Sequence, residues 1–152
     1  MFWKYSEEAF LKSSIASGVK LPKSGDSILI SVGGDKERIL NMVKTISENG
    51  FKIFATEHTA EALTKNNIEC ERLYKVSENK KPNIIDFLVN QQLKFVINIP
   101  SPDHINLKKQ SITDGYLIRR KAVEFGIPLI TNLELARILV NAMERHNNVL
   151  GF

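Results

Sequence analysis

The chain has one cysteine, Cys70, and one tryptophan. A lone cysteine excludes an internal disulfide framework and a CxxC-type metal site, and it fits a reducing cytoplasm. No apolar run approaches the ~18 residues that a membrane helix needs. The opening Met1-Phe2-Trp3-Lys4-Tyr5 runs straight into Glu7 and Glu8, so the apolar core of a signal peptide is missing. A GxxxxGK[ST] loop and a GxGxxG fingerprint are absent too, and the three histidines (His58, His104, His146) lack metal-ligand spacing. Charge of one sign is nearly balanced: 21 Lys and Arg against 17 Asp and Glu give +4. That excess is compatible with an anionic ligand without demanding one. Lys80-Lys81 and Lys108-Lys109 are not interleaved with aromatics, so they read as solvated loop charges and not as a nucleic-acid surface.

What is present is average, and useful for that reason. Residues are 43% hydrophobic and 25% charged, which excludes wholesale disorder, a collagen repeat and a coiled coil. A length of 152 residues suits one domain that folds without staples.

Apolar runs and helical periodicities alternate along the chain. Ser6–Ser17 predicts a short helix that Gly18 ends, followed by a polar connector. Strands are predicted at Ser27–Val32, Phe51–Ala55, Cys70–Leu73 (the weakest), Phe95–Ile99 and Ile127–Ile130. Helices are predicted at Lys36–Asn49, Thr59–Lys65, Asn83–Gln91, Asp114–Phe125 and Leu133–Arg145, with a long loop at Pro100–Ile112. Continuous apolar strands alternating with helices imply a mainly parallel five-stranded sheet in a three-layer α/β/α, Rossmann-like domain. The expected organisation is an N-terminal helix and connector at 1–24, the domain at 25–146 and a tail at 147–152.

In an open parallel sheet, ligands bind at the carboxyl ends of the strands. The loops leaving those ends hold Gly33-Gly34-Asp35-Lys36, Thr56-Glu57-His58-Thr59, Lys75, Asn98 and Thr131-Asn132. Hydroxyls, ammonium groups and free helix-start amides suit a phosphate or carboxylate. Plain structural roles fit each residue alone. Thr56 and Thr59 can cap the next helix, Gly33-Gly34 can be a tight turn, Lys36 a solvated lysine, and Asn98 a satisfied core amide. Arg119 and Arg120 are adjacent on a helix and point in different directions. One of them is therefore assigned to an ion pair with Asp114 or Glu124. Cys70 reads as a small buried strand residue and not a nucleophile, since no histidine is placed to activate it.

As an ordered set these loops resemble the methylglyoxal-synthase-like (MGS-like) superfamily. They are most similar to the regulatory domain at the carboxyl end of the carbamoyl phosphate synthetase large subunit. The matching stretches are Ala9–Ser13, Ile30-Ser31-Val32 with Asp35–Arg38, Gly50-Phe51 through Ala55–Ala60, Lys75–Glu78, Pro82–Ile84, Val96-Ile97-Asn98, Gly115–Ala122 and Ile127–Thr131. The resemblance implies a domain without a cofactor or catalytic residues of its own. It would bind a small phosphorylated effector such as a uridine or inosine nucleotide, and so tune carbamoyl phosphate synthesis for pyrimidine and arginine pathways. Its implied partners are the rest of the large subunit and the small glutaminase subunit. Its implied setting is the cytoplasm, with the mitochondrion for an animal-type, ammonia-dependent enzyme. Such domains end a much longer chain, so polypeptide is expected before Met1.

Carried over by position, the resemblance places effector or phosphate contacts on Lys36, Thr56, Thr59, Lys75 and Asn98. Thr131 falls at a secondary, interdomain position. Ile99-Pro100 after Asn98, with Ala55-Thr56-Glu57, is also similar to the class activated by N-acetylglutamate. That class carries a tryptophan where Lys75 stands, and a lysine favours phosphate over an acetyl group lying on an aromatic ring. A third alternative is a lyase acting on dihydroxyacetone phosphate, which needs a carboxylate base. In that relative an aspartate follows two glycines in the loop after strand three. The equivalent stretch here is Lys80-Lys81-Pro82, flanked by Glu78 and Asp86, which read as a solvated loop acid and a helix-surface charge.

Overall fold

The computed structural model describes residues 22–75, 78–101 and 114–150, with the side chains of Asp114 and of residues 146–150 left aside. The predicted helix at Ser6–Ser17, most of the loop at Pro100–Ile112, His104 and Lys108-Lys109 lie outside the described residues.

Strand β1 (Ser27–Val32) is built from Ile28, Leu29, Ile30 and Val32, all buried. Branched side chains suit the pleated, two-sided burial of a central strand. Around β1 lie β2 (Lys52–Ala55), β3 (Glu71–Arg72), β4 (Phe95–Ile99) and β5 (Leu129–Ile130), in the order β3-β2-β1-β4-β5. Every pairing is parallel. The two outer strands are only two residues long, shorter than their apolar runs predict. Each lies at an edge and has one partner, so the ladder frays where the second neighbour is missing.

The helices are α1 (Leu40–Glu48), α2 (Glu57–Lys65), α3 (Ile84–Val89), α4 (Asp114–Glu124) and α5 (Leu133–Leu150). The helix predicted over Lys36–Asn49 divides: Lys36–Ile39 forms a 3-10 turn before α1 begins. Asp35 caps this turn, its carboxylate accepting from the Glu37 amide at 3.0 Å. At the far end of α1, Gly50 has φ +83°, and a Cβ there would stand 2.5 Å from Ser24 Oγ. Glycine alone satisfies both demands.

Alternation along the strands sorts the core onto two faces. Ile28, Ile30, Ile53, Ala55, Phe95, Ile97 and Ile99 pack with α1, α2 and α5 through Val43, Leu63, Leu139 and Met143. Leu29, Phe54 and Val96 point the other way, onto α3 and α4 through Ile84, Leu88, Ile118 and Ala122. Each fully buried aliphatic side chain contributes about 1.5–3 kcal/mol. The result is a parallel sheet between two helical layers, the expected α/β/α architecture. Among the described residues no helix is long and apolar enough to cross a membrane.

Candidate functional site

The strand order reverses at β1. From β1 the chain proceeds to β2 and β3 on one side, then crosses to β4 and β5 on the other. In open parallel sheets the crevice that takes ligands lies outside the carboxyl ends of the strands at such a reversal, here β1 and β4.

Period-two alternation determines what lines that crevice. Two residues beyond Leu29, Phe54 and Val96 stand Ser31, Thr56 and Asn98, so the apolar face over α3 and α4 ends in a polar row. The strand register aligns it: Ser31 pairs with Asn98, and Ile30 with Ala55, which sets Thr56 beside Ser31. Thr56 is 5% exposed and Asn98 3%. Thr56 precedes α2 as its cap residue but makes no side-chain cap bond. Its hydroxyl instead donates to Ser31 Oγ at 3.2 Å.

Arg119 reaches the same row from α4, its Nη1 donating to Asn98 Oδ1 at 2.7 Å. Of the two acids named from sequence as partners for Arg119 or Arg120, the Asp114 side chain lies outside the described residues. Glu124 is held by Lys121 at 3.3 Å, Arg120 is exposed, and Arg119 turns inward to the sheet. Gly115, one turn earlier, makes room, because a Cβ there would lie 3.2 Å from Arg119 Nη1.

On the β1 side of the crevice, Gly33 donates its amide to Ile99 O at 2.8 Å. A Cβ on Gly33 would stand 2.5 Å from the Ser101 backbone nitrogen, so the two segments touch where they leave the sheet. The turn beyond carries Lys36, whose Nζ donates to Gly34 O at 2.9 Å. Arg38 braces the turn, donating to Gly33 O and to Asp35 O, both at 3.1 Å. Arg137 of α5 in turn donates to Arg38 O at 3.0 Å. Burial lowers the Lys36 pKa from its ordinary value, and the Lys75 and Arg38 cations lower it further, against a smaller opposing pull from Asp35. Lys75, from the loop after β3, thus stands close enough for the two ammonium groups to repel each other.

Thr59 is 1% exposed. Its hydroxyl accepts from Val32 N at 3.2 Å and faces Val32 O at 3.5 Å. It ties α2 to the end of β1 and does not cap the helix. Thr131 is exposed just past edge strand β5, and the register that pairs Ile97 with Ile130 sets it beside Asn98, at the edge-strand end of the polar row. Asn132 beside it caps α5, accepting from the Leu135 amide at 3.0 Å.

The acids near this rim are engaged. Arg72 Nη2 lies 3.2 Å from Glu78 and 3.5 Å from Glu57, with the guanidinium 4.4 Å from the Tyr74 ring centroid. The Glu78 side chain is 22% exposed, which corrects its reading as a solvated loop acid. Asp86, at the surface as expected, pairs with Lys81 at 2.6 Å. Lys80 stands over the Tyr74 ring. Cys70 is half-buried just before β3, with Sγ 3.8 Å from Ala60 O, and burial raises its pKa. A thiol held neutral in this way is a poor nucleophile. Among the described residues no group of three or more His, Cys, Asp or Glu is placed to hold a metal.

The sequence profile of the MGS-like domain family matches residues 38–131. The chain belongs to the MGS-like domain family. It is 41% identical over 138 residues to the carbamoyl phosphate synthase large chain of Archaeoglobus fulgidus, covering 90% of this chain and 12% of that one. It is 36% identical over 136 residues to the C-terminal section of the Methanopyrus kandleri large chain, covering 90% of this chain and 24% of the relative. This MGS-like domain thus spans a small part of the length of the curated relatives it matches. Its fold is also that of a crystal structure of methylglyoxal synthase from Elizabethkingia anophelis. The two share a TM-score of 0.62 at 15% identity, over 82% of this chain and 83% of the other.

Two residues of the MGS-like domain's crevice were missed in sequence, Ser31 and Arg119. Ser31 was within reach of simple counting, since it follows Leu29 as Thr56 follows Phe54 and Asn98 follows Val96. Arg119 shares a helical stripe with Gly115 and Ala122, at i+4 and i+7 spacing. What the stripe faces is a matter of packing.

Proposed function

We propose that this MGS-like domain is a non-catalytic effector-binding module of a carbamoyl phosphate synthase large chain, and that it holds a phosphorylated, nucleotide-type metabolite at the crevice between β1 and β4. What supports this reading is that Lys36 and Lys75 leave the carboxyl ends of β1 and β3 beside the buried polar row of Thr56 and Asn98, with the Lys75 charge among the causes that lower the Lys36 pKa. Repulsion between two ammonium groups, one of them partly desolvated, raises the free energy of the unliganded site, and an anion between them relieves it. A phosphate dianion at that place supplies acceptors for both. The polar row of Thr56, Ser31 and Asn98 then lies beside it for a sugar or base.

Lyase chemistry finds less support. Proton abstraction needs an available carboxylate, while Glu78 is paired with Arg72 and Asp86 with Lys81. Lys75, a cation and not an aromatic ring, favours phosphate over N-acetylglutamate. Thr131, exposed at the edge of the sheet, suits a site shared with another domain of the large chain. Regulation of the synthase would need an energetic coupling of about 1–3 kcal/mol between this crevice and the rest of the enzyme, in a cytoplasmic setting. The test is calorimetric titration of the chain with uridine and inosine monophosphates, alongside an assay for methylglyoxal release from dihydroxyacetone phosphate. Saturable nucleotide binding without turnover is expected. Turnover above background, or no binding of either nucleotide, refutes the proposal.

A further inference from the structure

Asn98 combines an acceptor and a donor on one amide, and an unrestrained amide presents either end. Arginine has donors only, so the Asn98 atom 2.7 Å from Arg119 Nη1 is necessarily the oxygen. The amide is thereby oriented. α4 packs over the β4 side of the sheet, through Ile118 and Ala122 against Val96 and Leu129. With Oδ1 engaged by Arg119, the amide's planar geometry directs Nδ2 away from that bond, and Ser31 of β1 is the cross-strand neighbour of Asn98. Gly115 shows the arrangement from the other side. Glycine is a poorer helix former than alanine, yet a Cβ in this first turn of α4 would crowd the guanidinium at 3.2 Å and come within 3.9 Å of Asn98 Oδ1. The small residue keeps open the space the guanidinium occupies.

We infer that Arg119 is a specificity-determining positioning residue. By holding Asn98 Oδ1 it turns the amide's N–H donors to the crevice, which then selects ligands offering a hydrogen-bond acceptor, such as a ring carbonyl, over those offering an amino group. The inference rests on the effector-site reading above and adds which chemistry that site distinguishes. An amino group facing Nδ2 sets donor against donor and leaves both unpaired in a largely buried place. A polar mismatch of that kind discriminates far more strongly than a change of shape.

The experiment measures calorimetric affinities of the chain for uridine and cytidine monophosphates, a carbonyl–amino pair, with ribose 5-phosphate as a base-free reference. It compares the wild type, Arg119→Leu and Arg119→Lys. The wild type is expected to favour the uridine nucleotide by tenfold or more. Arg119→Leu frees the amide to rotate and should cut that preference to within about threefold. Arg119→Lys retains a donor and should restore most of the preference. In parallel, the Asn98 side-chain NH2 signals in 15N-correlated NMR spectra of the wild type should shift with the uridine nucleotide and not with ribose 5-phosphate. This readout decides the matter if Arg119→Leu fails to fold. Equal affinity of the wild type for both nucleotides, a preference that survives in Arg119→Leu, or an unmoved Asn98 signal overturns the inference while ribose 5-phosphate binding leaves the effector site standing. Failure of all three ligands to bind removes the effector-site reading, and this inference with it.

Discussion

Removing the Lys36 ammonium while keeping most of its aliphatic stem, as in Lys36→Met, separates two effects with opposite signs. In the free protein that ammonium has a solvent-side hydrogen bond to Gly34 O at 2.9 Å and stands near Lys75. Burial, then Lys75, then Arg38 hold its pKa below the ordinary lysine value, so folding disfavours its charged form. A group depressed on folding costs stability at neutral pH. The cost disappears as pH rises through the lowered folded pKa towards the unfolded value of about 10.4. Lys36→Met is therefore expected to be slightly more stable than the wild type at pH 7, with the difference closing near pH 10. Ligand binding moves the other way. A charge-assisted hydrogen bond to a phosphate contributes about 1.5–3 kcal/mol, so Kd for uridine monophosphate should rise roughly 10- to 150-fold. Wild-type affinity should also weaken as pH climbs through the same window, while the variant's affinity stays flat. Urea denaturation and calorimetry at pH 7 and pH 10 read both effects. An unchanged Kd in Lys36→Met would take Lys36 out of the site, and a loss of stability at pH 7 would refute the electrostatic argument.

Two further substitutions probe the frame around the crevice. Thr59→Val keeps the side-chain shape but leaves the buried Val32 amide without its acceptor, at a cost of about 1–3 kcal/mol. A lowered urea midpoint at constant m is expected, and an unshifted midpoint with weakened nucleotide binding would instead make this hydroxyl a ligand contact. Gly33→Ala drives a Cβ into the Ser101 backbone at 2.5 Å, and overpacking of this kind costs about 1–3 kcal/mol. The melting temperature should fall, and an unaltered one would mean that the two loop roots separate freely.

The central strands β1 and β4 were legible because continuous runs of branched residues have few other uses than two-sided burial. The edge strands were legible only as apolar runs, since their true length depends on how far one neighbour can hold them. The helix expected from Lys36 keeps its apolar spacing through Ile39, Val43 and Ile46, and periodicity does not distinguish a tight first turn from a regular one. Its 3-10 geometry accompanies the Asp35 cap and bonds from Arg38 and Arg137, the last of them 99 residues away in sequence from its acceptor.

Thr56 and Thr59 show the same division within one loop. Both were marked in sequence as hydroxyls at a strand end, suited either to capping or to a ligand. In the structure Thr56 continues the Phe54 face and donates to Ser31, while Thr59, on the first turn of α2, binds the backbone of β1.

By itself the sequence determined the alternation of buried strands and amphipathic helices, and the presence of Lys36 and Lys75 in loops at the carboxyl edge of the sheet. These depend on local pattern, and local pattern is written along the chain. Only the tertiary structure decided that Ser31, Thr56 and Asn98 form one row, that Arg119 donates to the row's amide, and that Thr59 ties α2 to the end of β1. Each of these depends on register, helix phase or approach between segments far apart in sequence, and such distances are set by packing.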